Sequence, residues 1–353
     1  MNNKLYQWQM VELKQEFKLA EQNIPELKEG EVLVKVAGCG VCHTDLSFWH
    51  YGVQTKHALP LTLGHEISGV VVAGDKNWLN RSVIIPAVLP CGECELCKKG
   101  RSNICRNQLM PGNDFQGGFA SHIKVPSRFL CPVPDSVLKQ YPLEQLAVIA
   151  DAISTPYQVI KKSELEPGDL AIVIGVGGVG VYGALIAKIF GAKVIALDIN
   201  DEKLGIAKAN GVDATLNIKG LDPKAIKDKL KELVKEIKGP KFGWKIFEFS
   251  GTKAGQDLAF NLITFTSTLS IVGFTMDKVE VRLSNLMAFD AKLIGTWGCR
   301  AELYPEVLDL IASDKLKISQ FVQTFPMSKI NEVFKNTLDH KYTKRSVLVP
   351  DFN

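Results

Sequence analysis

Four of the chain's eight cysteines fall within fifteen residues, in the run CGECELCKKGRSNIC, as Cys91, Cys94, Cys97 and Cys105. Steps of three, three and eight residues let four thiolates converge on one ion. Zinc held by four sulfurs is a closed structural site with no position left for a substrate. The competing use of such cysteines, disulfide pairing, needs an oxidising compartment. The opening residues MNNKLYQWQMVELKQEFKLAEQNIPELKEG are polar and carry charges of both signs, unlike the apolar centre of a secretion signal. A cytoplasmic, reduced chain is therefore expected, with about two zinc ions once the second cluster below is counted.

At 353 residues with 46% hydrophobic content the chain is neither disordered nor a small disulfide scaffold. A single core rarely grows to that length, so two domains are expected. No window reaches the roughly 18 apolar residues of a membrane helix, so no membrane partner is expected. The formal charge of +4 is mild. Lysines concentrate between Lys219 and Lys241, where Ile226, Leu230, Leu233 and Ile237 recur at helical spacing. That pattern is the wet face of an amphipathic helix rather than a nucleic-acid patch, and no nucleic-acid partner is expected.

The texture of the chain changes near Leu165. From about residue 30 to 130 short β-like runs, EVLVKVAG, EISGVVVAG, SVIIPAVLP and FASHIKVP, alternate with Gly/Pro turns, which suggests a strongly bent, barrel-like domain. Beyond Leu165 apolar runs and helical patterns alternate: DLAIVIG, a helix ended by Gly191, KVIALD, a helix ended by Gly211, KIFEFSG, a helix through Asp257 to Ile263, TLSIVGF and KLIGTWG. This is the rhythm of an α/β doubly wound parallel sheet. A helix near Pro305 to Ser313 and the run SVLVP close the sequence, the latter expected to return to the first domain.

The first βα turn of that sheet reads GVGGVG. Gly175 suits the tight turn, Gly177 the close approach of a pyrophosphate, and Gly180 the packing of helix on strand, with Gly178 and Val179 completing the turn. Amides at the helix start face the phosphate charge. Asp198 ends the next apolar run, 23 residues after Gly175, where a carboxylate accepts from ribose hydroxyls and repels a 2′-phosphate, so NAD is favoured over NADP. The competing reading is a glycine-rich turn with no ligand.

A second group of ligand-type residues is split between GCGVCHTDL and LGHEISG: Cys42, His43, Asp45, His65 and Glu66. Each alone is more often a packed residue. Beside a nucleotide fold they point to an open-sided zinc, which acts as a Lewis acid on an alcohol.

With these motifs in this order, the sequence resembles the zinc-dependent medium-chain alcohol dehydrogenases over nearly its whole length. The resemblance implies a GroES-like β-rich catalytic domain from residues 1–154 and 298–353, and a Rossmann NAD-binding domain from 155–297. It implies Cys42 and His65 as catalytic zinc ligands, Glu66 as a carboxylate able to enter the zinc shell, and Asp45 as the residue orienting His65. It places Thr44 at the hydroxyl that receives the alcohol proton and His43 at the cofactor pyrophosphate. Thr155, Lys203 and the segment from Val272 to Phe274 match cofactor-contacting positions. A homodimer or homotetramer is implied as well.

Three departures matter. Where the family commonly has a third cysteine ligand, IADAISTPYQ places Asp151, a carboxylate of equal charge and harder donor atom. Where the proton relay often ends in histidine stands Ser47, which cannot store a proton near neutral pH, so release runs through water or another base such as His43 or His50. Where small-alcohol enzymes carry an aromatic residue stands Ala87, which widens the pocket. A narrower resemblance, on GCGVCHTDLSFWHYGV, RNQLMPGNDFQGGFASHI and ADAISTPYQ, is to the branch that oxidises the ring hydroxyl of a cyclic hydroxyacyl-CoA thioester. It implies an acyl-CoA substrate. Two rivals from other classes are a zinc-organised nucleotide-binding protein without catalysis and a nucleic-acid-binding zinc module; Cys42, His65 and Asp151 discriminate against the first, and salt-sensitive binding tests the second. The remaining cysteines, Cys39, Cys131 and Cys299, read as packing residues.

Overall fold

Two sets of residues pack internally, 1–154 together with 298–353, and 155–297. The computed structural model describes residues 4–352, so the outermost residues of the first expected domain, 1–3 and 353, lie outside the described residues.

In the first unit the strand Glu31–Gly40 is the hub. It pairs antiparallel with Glu66–Gly74, His122–Pro126 and Arg345–Val349. Register shifts beside Leu33 and Val36 interrupt its ladder with Glu66–Gly74, and such irregularities bend and twist a strand. The bent sheet wraps Val32, Val34, Val36, Ile67, Val71, Ile123, Val125 and Leu348 around Phe119 and Phe334. SVIIPAVLP is not one strand: pairing stops at Ile85, because Pro86 has no amide to continue a ladder. The opening segment, which as a sequence reads only as polar, forms a hairpin of Lys4–Met10 with Lys18–Asn23, extended by Leu61–Thr62.

The second unit is a six-stranded parallel sheet in the order Ala214–Asn217, Lys193–Asp198, Leu170–Ile174, Lys245–Glu248, Thr268–Ile271, Lys292–Gly295. Counted along the chain this is the 3-2-1-4-5-6 order of a doubly wound dinucleotide fold. Every residue of the central strand Leu170–Ile174 is buried, as expected of a strand covered by helices on both faces. Helix Gly180–Ile189 follows it and helix Asp201–Ala209 follows the next strand. The helix expected from Asp257 begins earlier, at Lys253, because the Thr252 hydroxyl accepts the Gly255 amide at 3.0 Å and caps it. Helix Pro223–Glu236 buries Ile226, Leu230 and Val234, with Leu233 and Ile237 packed partly on the same core, and its lysines face outward. The α/β class inferred from the sequence, a β-rich unit plus a doubly wound parallel sheet, is the class observed. Among the described residues no helix is long and apolar enough to cross a membrane.

Candidate metal centres and dinucleotide site

Helix His43–Trp49 starts at Cys42, whose amide donates to Asp45 Oδ2 at 2.9 Å. The other oxygen of Asp45 accepts the Gly64 amide at 3.1 Å and lies 3.4 Å from His65 Nδ1. One buried carboxylate thus joins the two segments that carry Cys42 and His65. Asp151 arrives from a third direction, as the C-cap of the 3-10 helix Leu143–Ala150. Its Oδ2 is 3.7 Å from Cys42 Sγ and 3.8 Å from His65 Nε2.

These spacings fit a metal ion. Tetrahedral zinc with bonds of ~2.3 Å to sulfur and ~2.1 Å to oxygen separates those two donors by about 3.6 Å. His65 is buried, and its Nε2 has no hydrogen-bond partner, a costly state unless a ligand takes it. One donor atom from each of Cys42, His65, Glu66 and Asp151 lies within 4.8 Å of the others. Burial works against the charged form of His65, but the Asp45 charge, with the Asp151 carboxylate beside the other ring nitrogen, outweighs it and holds the imidazole well above its ordinary range.

Glu66 is engaged elsewhere. Both of its oxygens take hydrogen bonds from Arg345, from Nε at 3.0 Å and from Nη2. Both side chains are buried, Glu66 wholly so. Burial pushes the Glu66 carboxyl up, and the Arg345 guanidinium opposes that shift. Nothing local in the sequence pointed to Arg345; its only signal is a cation opening the apolar run RSVLV.

Thr44 Oγ1 stands 3.6 Å from Cys42 Sγ, beside the metal donors. Ser47 is one turn on, and its hydroxyl donates to the His43 carbonyl at 2.9 Å. His43 is exposed and stacks on His340, with ring centroids 6.0 Å apart. Ala87 is buried, and its amide donates to the Tyr304 hydroxyl at 3.3 Å.

The four-cysteine lobe is equally well formed. Sγ–Sγ separations of 3.5, 3.7 and 4.0 Å join Cys94 to Cys97, Cys94 to Cys105 and Cys91 to Cys97. A tetrahedron with ~2.3 Å bonds requires about 3.8 Å. Amides of Cys94 and Cys91 donate to the sulfurs of Cys91 and Cys105, each at 3.3 Å. The backbone of Cys97 pulls the Cys94 thiol down to about 6, toward the thiolate that binds metal, whereas burial pushes Cys97 up to about 12. Cys39, Cys131 and Cys299 are buried apart from this lobe.

In the parallel sheet Gly175 turns the chain with φ +83°, a conformation that disfavours a side chain. A methyl at Gly180 would collide with the Gly175 carbonyl oxygen, whereas a methyl at Gly177 would meet only Lys203 Nζ, at 4.0 Å. The space beside Gly177, at the start of helix Gly180–Ile189, is what a pyrophosphate needs. Gly178 and Val179 lie between, with Val179 as the N-cap. Asp198 ends its strand, its oxygens accepting the amides of Val176 at 2.8 Å and Asn200 at 3.0 Å. Each oxygen keeps a lone pair for a ribose hydroxyl. Lys203 sits in the first turn of helix Asp201–Ala209. Val272 follows strand Thr268–Ile271, its amide donating to the Glu248 carbonyl at 3.1 Å, and Phe274 is exposed. Thr155 is buried in helix Ser154–Lys162. Sequence reasoning passed over Glu248, whose side chain takes the amides of Ser250 at 2.8 Å and Gly251 at 3.2 Å while its carbonyl takes Val272; a carboxylate at the end of an apolar strand, as at Asp198, was the available signal.

Residues 28–135 match the family model described as alcohol dehydrogenase GroES-like domain, and residues 178–313 the model described as zinc-binding dehydrogenase. An alcohol dehydrogenase of Geobacillus stearothermophilus is 32% identical over 344 residues, which is 96% of each chain. The crystal structure of the alcohol dehydrogenase of the hyperthermophilic archaeon Aeropyrum pernix is similar with a TM-score of 0.87 at 26% identity, over 98% of this chain and all of that one. Acetophenone reductase from Geotrichum candidum, solved in complex with NAD, has a TM-score of 0.85 at 25% identity, over 99% of this chain and 98% of that one.

Proposed function

Because this chain belongs to the zinc-dependent medium-chain alcohol dehydrogenase family, we propose that its substrate is a cyclic hydroxyacyl-CoA thioester. The reaction proposed is NAD-dependent oxidation of the ring hydroxyl of 6-hydroxycyclohex-1-ene-1-carbonyl-CoA to 6-oxocyclohex-1-ene-1-carbonyl-CoA, in anaerobic benzoyl-CoA degradation. The chain is a zinc-dependent oxidoreductase of the alcohol dehydrogenase type, and its cofactors are zinc and NAD. The observation that carries the chemistry is the gathering of donor atoms from Cys42, Glu66 and Asp151 around the buried, unpartnered Nε2 of His65. What supports the substrate is the pair of departures, Asp151 for a cysteine and Ala87 for an aromatic residue, together with the strings around them.

Zinc, when bound, lowers the pKa of a substrate hydroxyl as a Lewis acid, and NAD accepts the hydride. Cys42, His65 and Asp151 would hold the catalytic ion, while Arg345 restrains the nearby Glu66. Cys91, Cys94, Cys97 and Cys105 hold the structural ion. Thr44 accepts the alcohol proton. Ser47 takes it onward toward solvent only by giving up its bond to the His43 carbonyl, since that bond uses its single hydrogen. Gly175, Gly177, Gly178, Val179 and Gly180 admit the NAD pyrophosphate, Asp198 binds the ribose, and Lys203, Thr155, Val272, Phe274 and His43 make further cofactor contacts. The carbinol C–H bond breaks, a C=O bond forms, and NADH and one proton leave.

The test is NADH formation from the ring hydroxyacyl-CoA beside free cyclic and allylic alcohols, on protein with measured zinc content. Turnover of the thioester, with about two zinc ions per chain, is the expected result. Oxidation of the free alcohols alone would remove the thioester and leave the alternative reading, another cyclic or allylic secondary alcohol. An Asp151→Ala protein with full activity and both ions would remove Asp151 from the ligand set.

A further inference from the structure

We infer that Tyr304 is a positioning residue for the third metal ligand, its phenol fixing the peptide from which Asp151 projects. The inference rests on the reading of Asp151 as a ligand. Tyr304 opens helix Tyr304–Ala312 and is wholly buried. Its hydroxyl donates to the Ala150 carbonyl and accepts the Ala87 amide at 3.3 Å. A buried phenol needs such partners, but their placement is specific. Ala150 is the last residue of the 3-10 helix Leu143–Ala150, and Asp151 follows as its C-cap with φ −143° and ψ −55°. Carbonyls at a helix end have no partner within the helix. This one receives a second donor, the Ser154 hydroxyl, at 3.1 Å. The peptide plane between Ala150 and Asp151 is therefore held from two sides, 154 residues apart in the sequence for the tyrosine.

Such support suits a carboxylate ligand more than a thiolate. An aspartate reaches its donor oxygen through one more rotatable bond than a cysteine needs for its sulfur, so its backbone must be set more closely for Oδ2 to stay 3.7 Å from Cys42 Sγ. Burial holds the Tyr304 phenol well above its ordinary range, so the group remains a donor.

The experiment uses the full-length chain, stripped of metal and reloaded with Co²⁺, whose absorption reports ligand geometry. Co²⁺ affinity and the visible bands are measured for wild type, Tyr304→Phe, Ser154→Ala, Asp151→Ala, Asp151→Cys and Tyr304→Phe with Asp151→Cys; the bands of the four-thiolate lobe serve as reference. Tyr304→Phe is expected to weaken the catalytic site about tenfold and shift its bands, leaving the lobe unchanged, with Ser154→Ala acting in the same direction to a lesser degree. In the Asp151→Cys background the added Tyr304→Phe change should alter neither quantity. An equal effect in that background, or no effect on the aspartate site while Asp151→Ala does change it, overturns the inference alone. An unchanged spectrum for Asp151→Ala overturns the ligand reading and the inference together. Thermal unfolding of each variant identifies any that is simply misfolded, and Ser154→Ala then decides whether support of the Ala150 carbonyl matters.

Discussion

His65 Nδ1 lies 3.4 Å from Asp45 Oδ1, both side chains buried, while the opposite nitrogen of the same ring faces the Cys42 and Asp151 donors. Asp45 therefore sets the ring orientation and favours the tautomer that leaves Nε2 free to ligate. Asp45→Asn should weaken zinc at the catalytic site about 10- to 100-fold and leave the cysteine lobe loaded. Chelator competition with metal counting per chain checks this; loss from both sites alike would point instead to general unfolding.

His65 also couples the metal site to pH. Its folded, metal-free value is raised, so a proton competes with the metal for Nε2. Catalytic zinc should thus be released more readily by chelators as pH falls. The stability of the metal-free chain should run the other way. The raised value contributes stability that is full below the unfolded histidine value of about 6.5 and is lost as pH rises through the folded value. Denaturant midpoints of metal-free protein across that window provide the measurement, and a His65→Gln chain should lack the slope.

The two glycines flanking the helix start separate binding from folding. Gly177→Ala puts a methyl where only Lys203 Nζ stands within reach, so the melting temperature of the ligand-free chain should hold while the Kd for NAD rises. Gly180→Ala drives a methyl into the Gly175 carbonyl and toward Phe249 Cβ at 3.1 Å, and should cost about 1–3 kcal/mol of stability. Calorimetry of cofactor binding beside thermal unfolding distinguishes the two; equal stability losses would show that Gly177 is needed by the fold.

Glu66 and Arg345 form a buried ion pair across 279 residues of sequence. Arg345→Leu leaves the carboxylate buried without its cation, and a loss of about 3–5 kcal/mol is expected. The double change to Glu66→Gln with Arg345→Leu should recover part of it. Urea denaturation of the single and double variants measures the coupling.

What the sequence made legible was whatever is encoded over a short span. Cys91 to Cys105 and Gly175 to Gly180 work through local geometry, and the fully buried strand Leu170–Ile174 shows as an uninterrupted apolar run. The strand Lys4–Met10 was not legible, because its buried face carries Gln7, 3% exposed, and so breaks the apolar alternation that marks a strand. Pairings such as Glu66 with Arg345 and Tyr304 with Ala150 leave no local trace, since each partner alone looks like an ordinary surface or core residue. Cys42, His65 and Asp151 stand between these cases: the motifs suggest them, but only folding brings the third donor to the first two.

The order in which a ribosome releases the chain gives the strand Arg345–Val349 a further consequence. The unit built from residues 155–297 is continuous and can close once that stretch has emerged. The unit holding Cys42, His65 and Asp151 cannot complete its sheet until the strand that pairs with Gly40 and Cys39 has been synthesised. Until then Glu66 has no cation to bury against. The nascent chain must therefore carry Cys42, a ligand-type thiol, in an unfinished sheet until residues 345–349 have been made, whereas the cysteines from Cys91 to Cys105 lie close enough in sequence to gather without that strand.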